Sequence, residues 1–164
     1  MSRNVIITGA SGGLGEALAR EFVRRGYQVG LMARRADRLE ALAGELRRSG
    51  VKVEVGVVDV ANDSTVHAAV DALRERLGGL DIFIANAGIT AVNRTGSGDI
   101  SKDKQVMAVN FTGAIASLDA AAKHFRAQKR GRLVGISSIA GIMPIPGSGT
   151  YSASKAALSM WLRA

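Results

Sequence analysis

Tyr151 and Lys155 stand four residues apart in the stretch Thr150-Tyr151-Ser152-Ala153-Ser154-Lys155. On a helix that spacing places them on one face, one above the other. A phenol, with a reference pKa near ~10, is a poor proton donor or acceptor at neutral pH. A lysine ammonium within a few Å favours the phenolate and lowers that pKa. The pair is therefore a candidate acid–base device contained in one helical turn. The same spacing recurs in ordinary helices, so its meaning depends on what the chain sets beside it.

The elements that must position the pair come from alternating apolar runs and amphipathic segments. Strands are predicted over Asn4–Thr8, Gln28–Met32, Val51–Val58, Asp81–Ala85 and Arg132–Ser137. Helices are predicted over Leu14–Arg25, Ala36–Arg48, a segment from Asn62 to Leu77, Ser101–Gln128 and Tyr151–Ala164. The long helix carries a small-residue face of Val106, Val109, Gly113, Ser117 and Ala121, suited to close packing. Strands alternating with helices imply right-handed crossovers and a parallel sheet covered on both faces. The expected fold is α/β, a doubly wound parallel sheet with strand order 3-2-1-4-5, in one domain over residues 1–164. Ligands in such sheets sit at the carboxyl ends of the strands, where the winding reverses.

Chemistry-bearing residues follow those strand ends. Thr8-Gly9-Ala10-Ser11-Gly12-Gly13-Leu14-Gly15 lies between the first strand and first helix. Glycine there allows a tight turn and close approach of backbone to a pyrophosphate, and the helix N-terminus offers unpaired N–H donors. The spacing is Gly-x-x-x-Gly-x-Gly rather than Gly-x-Gly-x-x-Gly. After the second strand an acidic residue would bind a ribose 2′-hydroxyl. Here Met32-Ala33-Arg34-Arg35 intervenes, and the first carboxylate is Asp37. Arg34, helped by Arg35, can pair bidentately with phosphate, which favours NADP(H) over NAD(H). Asp59, followed by Val60, either accepts a hydrogen bond from the adenine amino group or caps the turn before the next helix. Asn86-Ala87-Gly88 closes the fourth strand at the same edge, with room for ribose and nicotinamide.

Composition narrows the alternatives. The chain has 164 residues, 47% hydrophobic and 22% charged, the balance of a globular protein. It contains no cysteine, which rules out disulfides, thiolate catalysis and cysteine metal sites. No apolar run approaches the ~18 residues needed to span a bilayer, and no signal-peptide core precedes Val5, so a cytoplasmic location is expected. The net charge of +8 and pI near 10.6 raise nucleic acid as a partner. The arginines are dispersed over helices without an aromatic recognition signature, so a solvated basic surface is the reading preferred. His67 and His124 are expected on solvated helix faces, and no carboxylate pair or histidine cluster suggests a metal.

With these parts in place the whole chain resembles the short-chain dehydrogenase/reductase family. The resemblance rests on Thr8-Gly9-x-x-x-Gly13-x-Gly15, Asp59, Asn86-Ala87-Gly88, Asn110, Ser138 and Tyr151-x-x-x-Lys155, in the family's order and spacing. The family's usual Asn-Asn-Ala-Gly reads here Ala85-Asn86-Ala87-Gly88, a mild departure. The resemblance implies a nicotinamide cofactor, NADP(H) by the arginines, and a small carbonyl or alcohol substrate. It implies that Tyr151 transfers the proton, that Lys155 lowers its pKa and holds the ribose, and that Ser138 polarises the substrate oxygen. Asn110 would support a water-linked proton relay. Ser137 is the alternative serine, and Ser138 is preferred because it precedes Tyr151 by thirteen residues. The resemblance also implies a homodimer or homotetramer built through the long helices.

Family members continue past the position of Ala164 with a sixth and a seventh strand, so the fifth strand is expected at an open sheet edge. A nucleotide-binding fragment without activity, or a nucleotide sensor of the same fold, is the alternative to an enzyme. Ile142, Met143, Pro144 and Ile145 suggest an apolar wall for a hydrophobic carbonyl compound.

Overall fold

In a computed structural model, residues 3–93 and 95–164 are described. Five parallel strands run β1 (Asn4–Thr8), β2 (Gln28–Ala33), β3 (Val53–Val57), β4 (Ile82–Ala85) and β5 (Arg132–Gly135), in the spatial order β3-β2-β1-β4-β5. Helices α1 (Gly13–Arg24), α2 (Ala36–Leu46), α3 (Asp63–Leu77), α4 (Ser101–Met107), α5 (Gly113–Gln128) and α6 (Gly149–Arg163) fill the crossovers. This is the expected doubly wound sheet and strand order. β5 pairs with β4 on one side only and forms a sheet edge.

Alternation along the strands divides the core in two. Val5 and Ile7 of β1 point to the face covered by α1 and α2, where they meet Ala19, Val23, Leu39 and Leu42. Ile6, between them, points to the other face, with Phe83 of β4, Val66, Val70 and Leu73 of α3, Leu118 of α5 and Leu158 of α6. Every residue of β1 is buried, as a central parallel strand requires. The winding reverses beside β1, because β2 and β4 flank it while β3 lies beyond β2. A crevice therefore opens between the carboxyl ends of β1 and β4, at Gly9 and Asn86.

One expectation about the long helix is corrected and another gains its partner surface. Ser101–Gln128 is interrupted by a π-helical segment over Ala108–Thr112, between α4 and α5. Single π turns of this kind place one extra residue in the ladder and commonly mark functional positions. The small-residue face of Val106, Val109, Gly113, Ser117 and Ala121 is buried inside the chain. A Cβ on Gly113 would stand 2.4 Å from the Val60 carbonyl oxygen. That face is consumed by packing on the loop after β3 and on α3, and is not open to another copy. The segment Ser138–Thr150, expected as loop, contains a 3₁₀ turn over Ile139–Gly141.

Candidate active site

The glycine turn is shaped by what it packs against. A Cβ on Gly15 would lie 2.4 Å from the Gly9 carbonyl oxygen and 2.6 Å from Asn86 Nδ2. Gly9 has φ +68°, and a Cβ there would approach Ala87 Cα to 2.8 Å. The turn after β1 and the turn after β4 are thus in direct contact. Hydrogen bonds fix the pair: Thr8 Oγ1 accepts from the Asn86 and Ala87 N–H groups at 3.0 Å, and Asn86 Nδ2 donates to the Thr8 carbonyl at 2.9 Å. The side chain of Asn86 therefore holds the glycine turn. Gly12 precedes α1 without a side-chain cap, so the first-turn N–H donors at Gly13, Leu14 and Gly15 have no capping side chain.

A cleft of about 360 Å³ runs from this turn along Arg34, Arg35, Asp59 and Val60 to Ala87 and Gly88. Arg35 donates from Nε and Nη2 to Ser11 Oγ at 3.2 and 3.0 Å, and from Nη2 to the Ser11 carbonyl at 2.9 Å. Arg34 lies 3.6 Å from Asp59 Oδ2, with both side chains partly exposed. Asp59 Oδ1 accepts from the Ala61 N–H at 3.0 Å. It caps the turn before α3, as one of its two expected roles requires, while standing in the cleft wall. Glycine backbone, an uncapped helix N-terminus, two guanidinium groups and a hydroxyl form a donor set able to bind phosphate groups.

Beyond Gly88 a second cleft of about 370 Å³ is lined by Ile89, Ser137, Ile145, Tyr151 and Lys155. Helix α6 brings Tyr151 and Lys155 together, with Lys155 Nζ 5.9 Å from the centre of the phenol ring. Lys155 is buried, and Nζ donates to the Ile136 carbonyl at 2.7 Å, just past β5. Burial pushes its ammonium below the usual lysine range. Gly88 lines both clefts, 3.4 Å from Lys155 Nζ and 3.5 Å from Asn110 Oδ1 as measured from an added Cβ.

Asn110 is fully buried in the π segment. Its Oδ1 accepts from the Ile89 N–H at 2.8 Å, and its Nδ2 donates to the Ile89 carbonyl at 2.8 Å and to Ser154 Oγ at 3.1 Å. One amide thus clamps the loop after β4 onto α6. The two serines differ in what occupies their hydroxyls. Ser137 Oγ lies 3.1 Å from the Lys155 carbonyl and 2.6 Å from Ser159 Oγ. Ser138 Oγ accepts from the Ala140 N–H at 3.1 Å, and its proton has no acceptor among the described residues. Ser137 lines the second cleft and Ser138 does not.

Several contacts of the site could not be read from sequence. The carbonyls of Ile89 and Ile136 are backbone groups and carry no side-chain signal. Asp103 of α4 accepts from Thr150 Oγ1 and from Asn93 Nδ2. Those bonds hold its carboxyl below the usual carboxylate range. Far from the site, His124 departs from expectation. It is largely buried, with Nε2 2.5 Å from Asp71 Oδ1, while Lys123 binds the other oxygen at 2.9 Å. Burial pushes the Asp71 carboxyl up, and the bonds from Lys123 and His124 outweigh it to leave a net lowering. His67 is partly exposed, 3.7 Å from Asp119.

No helix among the described residues is long and apolar enough to cross a membrane. Comparison with known proteins agrees with the geometry. Residues 3–164 match the family described as short chain dehydrogenase. An uncharacterised oxidoreductase of Myxococcus xanthus is 39% identical over 160 residues, covering 98% of this chain and 63% of that protein. An alcohol dehydrogenase of the archaeon Thermococcus sibiricus, solved with 5-hydroxy-NADP, superposes with TM-score 0.94 at 32% identity, covering 99% of this chain and 69% of that one. An NAD+-bound xylitol dehydrogenase gives TM-score 0.92 at 28% identity, covering 97% and 62%. The chain spans a little under two thirds of the length of such curated relatives. It belongs to the short-chain dehydrogenase family.

Proposed function

We propose that this chain carries the cofactor and catalytic part of an oxidoreductase interconverting a carbonyl and an alcohol, with NADP(H), when bound, accepting or supplying the hydride. The observation that carries this reading is the buried Lys155 ammonium beside the Tyr151 ring, in a cleft that shares Gly88 and Ile89 with the cleft at the glycine turn. Arg34, Arg35 and Ser11 would hold the 2′-phosphate, and the first turn of α1 with Gly12 and Gly13 the pyrophosphate. Asn86, Ala87, Gly88 and Lys155 would hold the nicotinamide ribose end.

In the reducing direction Tyr151 gives its phenolic proton to the developing alkoxide. The Lys155 ammonium, tethered to the Ile136 carbonyl, stabilises the phenolate left behind. Ser138 is the serine whose hydroxyl is available to donate to the same oxygen, because Ser137 is engaged with Lys155 and Ser159. Asn110 fixes the loop carrying Ile89 against α6 and so sets the width of the cleft. Ile145 lines that cleft, and Ile142 and Met143 are exposed nearby in sequence, which favours a substrate with an apolar body. Self-association as a dimer or tetramer would use faces other than the buried small-residue stripe, and sedimentation velocity tests it.

The function is tested by titrating the protein with NADPH and NADH and then assaying nucleotide oxidation with a panel of apolar ketones and aldehydes. Binding with ketone-dependent turnover supports the proposal. Binding without turnover on any member favours a nucleotide-binding fragment or sensor. Absence of binding rejects both.

A further inference from the structure

Asp103 reaches across from α4 to the first turn of α6. Its Oδ1 accepts from Thr150 Oγ1, and Thr150 is the residue directly before Tyr151. Its Oδ2 accepts from Asn93 Nδ2, in the loop after β4. That loop is itself knotted: Asn93 Nδ2 also donates to the Asp99 carbonyl at 2.8 Å, and Asp99 Oδ1 accepts from the Ser101 N–H at 2.7 Å. Asp103 is therefore the point at which α4, the loop after β4 and the start of α6 are joined.

The position matters because, among the described residues, two side-chain bonds tie the start of α6 to the rest of the chain: Thr150 to Asp103, and Ser152 Oγ accepting from the Ile145 N–H at 3.2 Å. Ser148 precedes the helix and makes no side-chain cap. Further along, α6 is held at Ser154 by Asn110 and at Lys155 by the Ile136 carbonyl, each within one turn of the other. Those two anchors fix the helix about one turn past the phenol. Without the bond at Thr150 the first turn keeps one side-chain anchor, at Ser152, and the residues before it are free to fray, the usual behaviour of an uncapped helix end.

We infer that Asp103 is a positioning residue, holding the first turn of α6 through Thr150 so that the Tyr151 phenol stays fixed in its cleft. Asp103 touches neither substrate nor cofactor in this account. The inference rests on the reading of Tyr151 as the proton donor only for its catalytic consequence. The structural anchor stands apart from it.

The test uses wild type, Asp103→Ala, Thr150→Val and Thr150→Ser, with two readouts. The first is amide hydrogen exchange in the protein without nucleotide. Asp103→Ala and Thr150→Val should each raise exchange at Tyr151–Ala153 several-fold, leave β1 and β4 unchanged, and add nothing when combined. Thr150→Ser, which keeps the hydroxyl, should behave as wild type. Unchanged exchange in the first turn, or equal loss in Thr150→Ser, overturns the anchor whatever the enzyme does. The second readout is ketone-dependent turnover. Asp103→Ala and Thr150→Val should lower kcat roughly ten- to hundredfold with little change in KM for NADPH. A loss in KM alone, or raised exchange with unaltered kcat in an active protein, overturns the positioning role. A wild type without turnover fails the proposed function and leaves the exchange experiment to decide the anchor.

Discussion

The Lys155 ammonium is tied by a 2.7 Å hydrogen bond to the Ile136 carbonyl, at the point where β5 ends and the chain turns toward Ser138. A charge that is buried yet fixed by a single backbone acceptor has a definite consequence for stability. Burial lowers the folded-state pKa, so the unfolded chain binds more protons between that value and the ordinary ~10.4. The cost of the buried charge is carried in full below the folded pKa and is relieved as pH rises through it. Relative to Lys155→Met, the wild type should therefore gain stability as pH climbs toward ~10.4, measured by denaturant melts across pH. A flat or opposite difference would contradict a desolvated ammonium.

The contact between the two turns predicts a contrast among glycines. Gly15→Ala forces a Cβ into the Gly9 carbonyl and the Asn86 amide. It should cost about 1–3 kcal/mol and weaken NADPH binding at least about tenfold. Gly44, exposed in α2 with no atom within 4 Å of an added Cβ, should respond the other way. Gly44→Ala should stabilise by about 0.5–1 kcal/mol without affecting the nucleotide. Equal responses in melts and titrations would show that the packing at Gly15 is not tight.

Asn110→Ala removes both partners of the Ile89 backbone and the donor to Ser154. The expected loss is about 1–3 kcal/mol, the cost of leaving buried polar groups unpaired. Asn110→Asp keeps the acceptor for the Ile89 N–H but sets a buried carboxylate oxygen against the Ile89 carbonyl, so it should recover none of the loss. Urea denaturation at one pH measures both, and a loss below about 0.5 kcal/mol for Asn110→Ala would refute the clamp.

Cofactor choice is assigned to Arg34 and Arg35. Arg34→Asp places a carboxylate where the 2′-phosphate would lie and also beside Asp59. The ratio of NADP(H) to NAD(H) affinity should fall at least about tenfold, the worth of a charge-assisted hydrogen bond. An unchanged ratio by paired fluorescence titrations would remove Arg34 from that role.

The order of elements and the strand-end positions of the site were legible because buried parallel strands read as short apolar runs bounded by glycine. Val5-Ile6-Ile7 and Phe83-Ile84-Ala85 are such runs; Gly9 follows the first after Thr8, and Asn86 follows the second directly. The π segment was not legible. Ala108–Thr112 has the apolar spacing of an ordinary helix, and the bonds that Asn110 makes from within it to Ile89 are tertiary. The same holds for Asp103 with Thr150, 47 residues apart. His124 was misread because its helix lies against α3, where Asp71 waits for it. The small-residue stripe was correctly seen as a close-packing face, but which surface it meets depends on the sheet topology, and Gly113 meets Val60 within the chain. The preference for Ser138 came from the family resemblance, while the engagement of Ser137 with Lys155 and Ser159, and its place in the cleft lining, depend on tertiary contacts that the sequence does not display.

The central claim is that Tyr151 moves the proton. Tyr151→Phe should retain NADPH affinity within about twofold while kcat for ketone reduction falls by about 10²–10⁴. Turnover that survives at the wild-type rate in Tyr151→Phe, with NADPH still bound, would contradict the account.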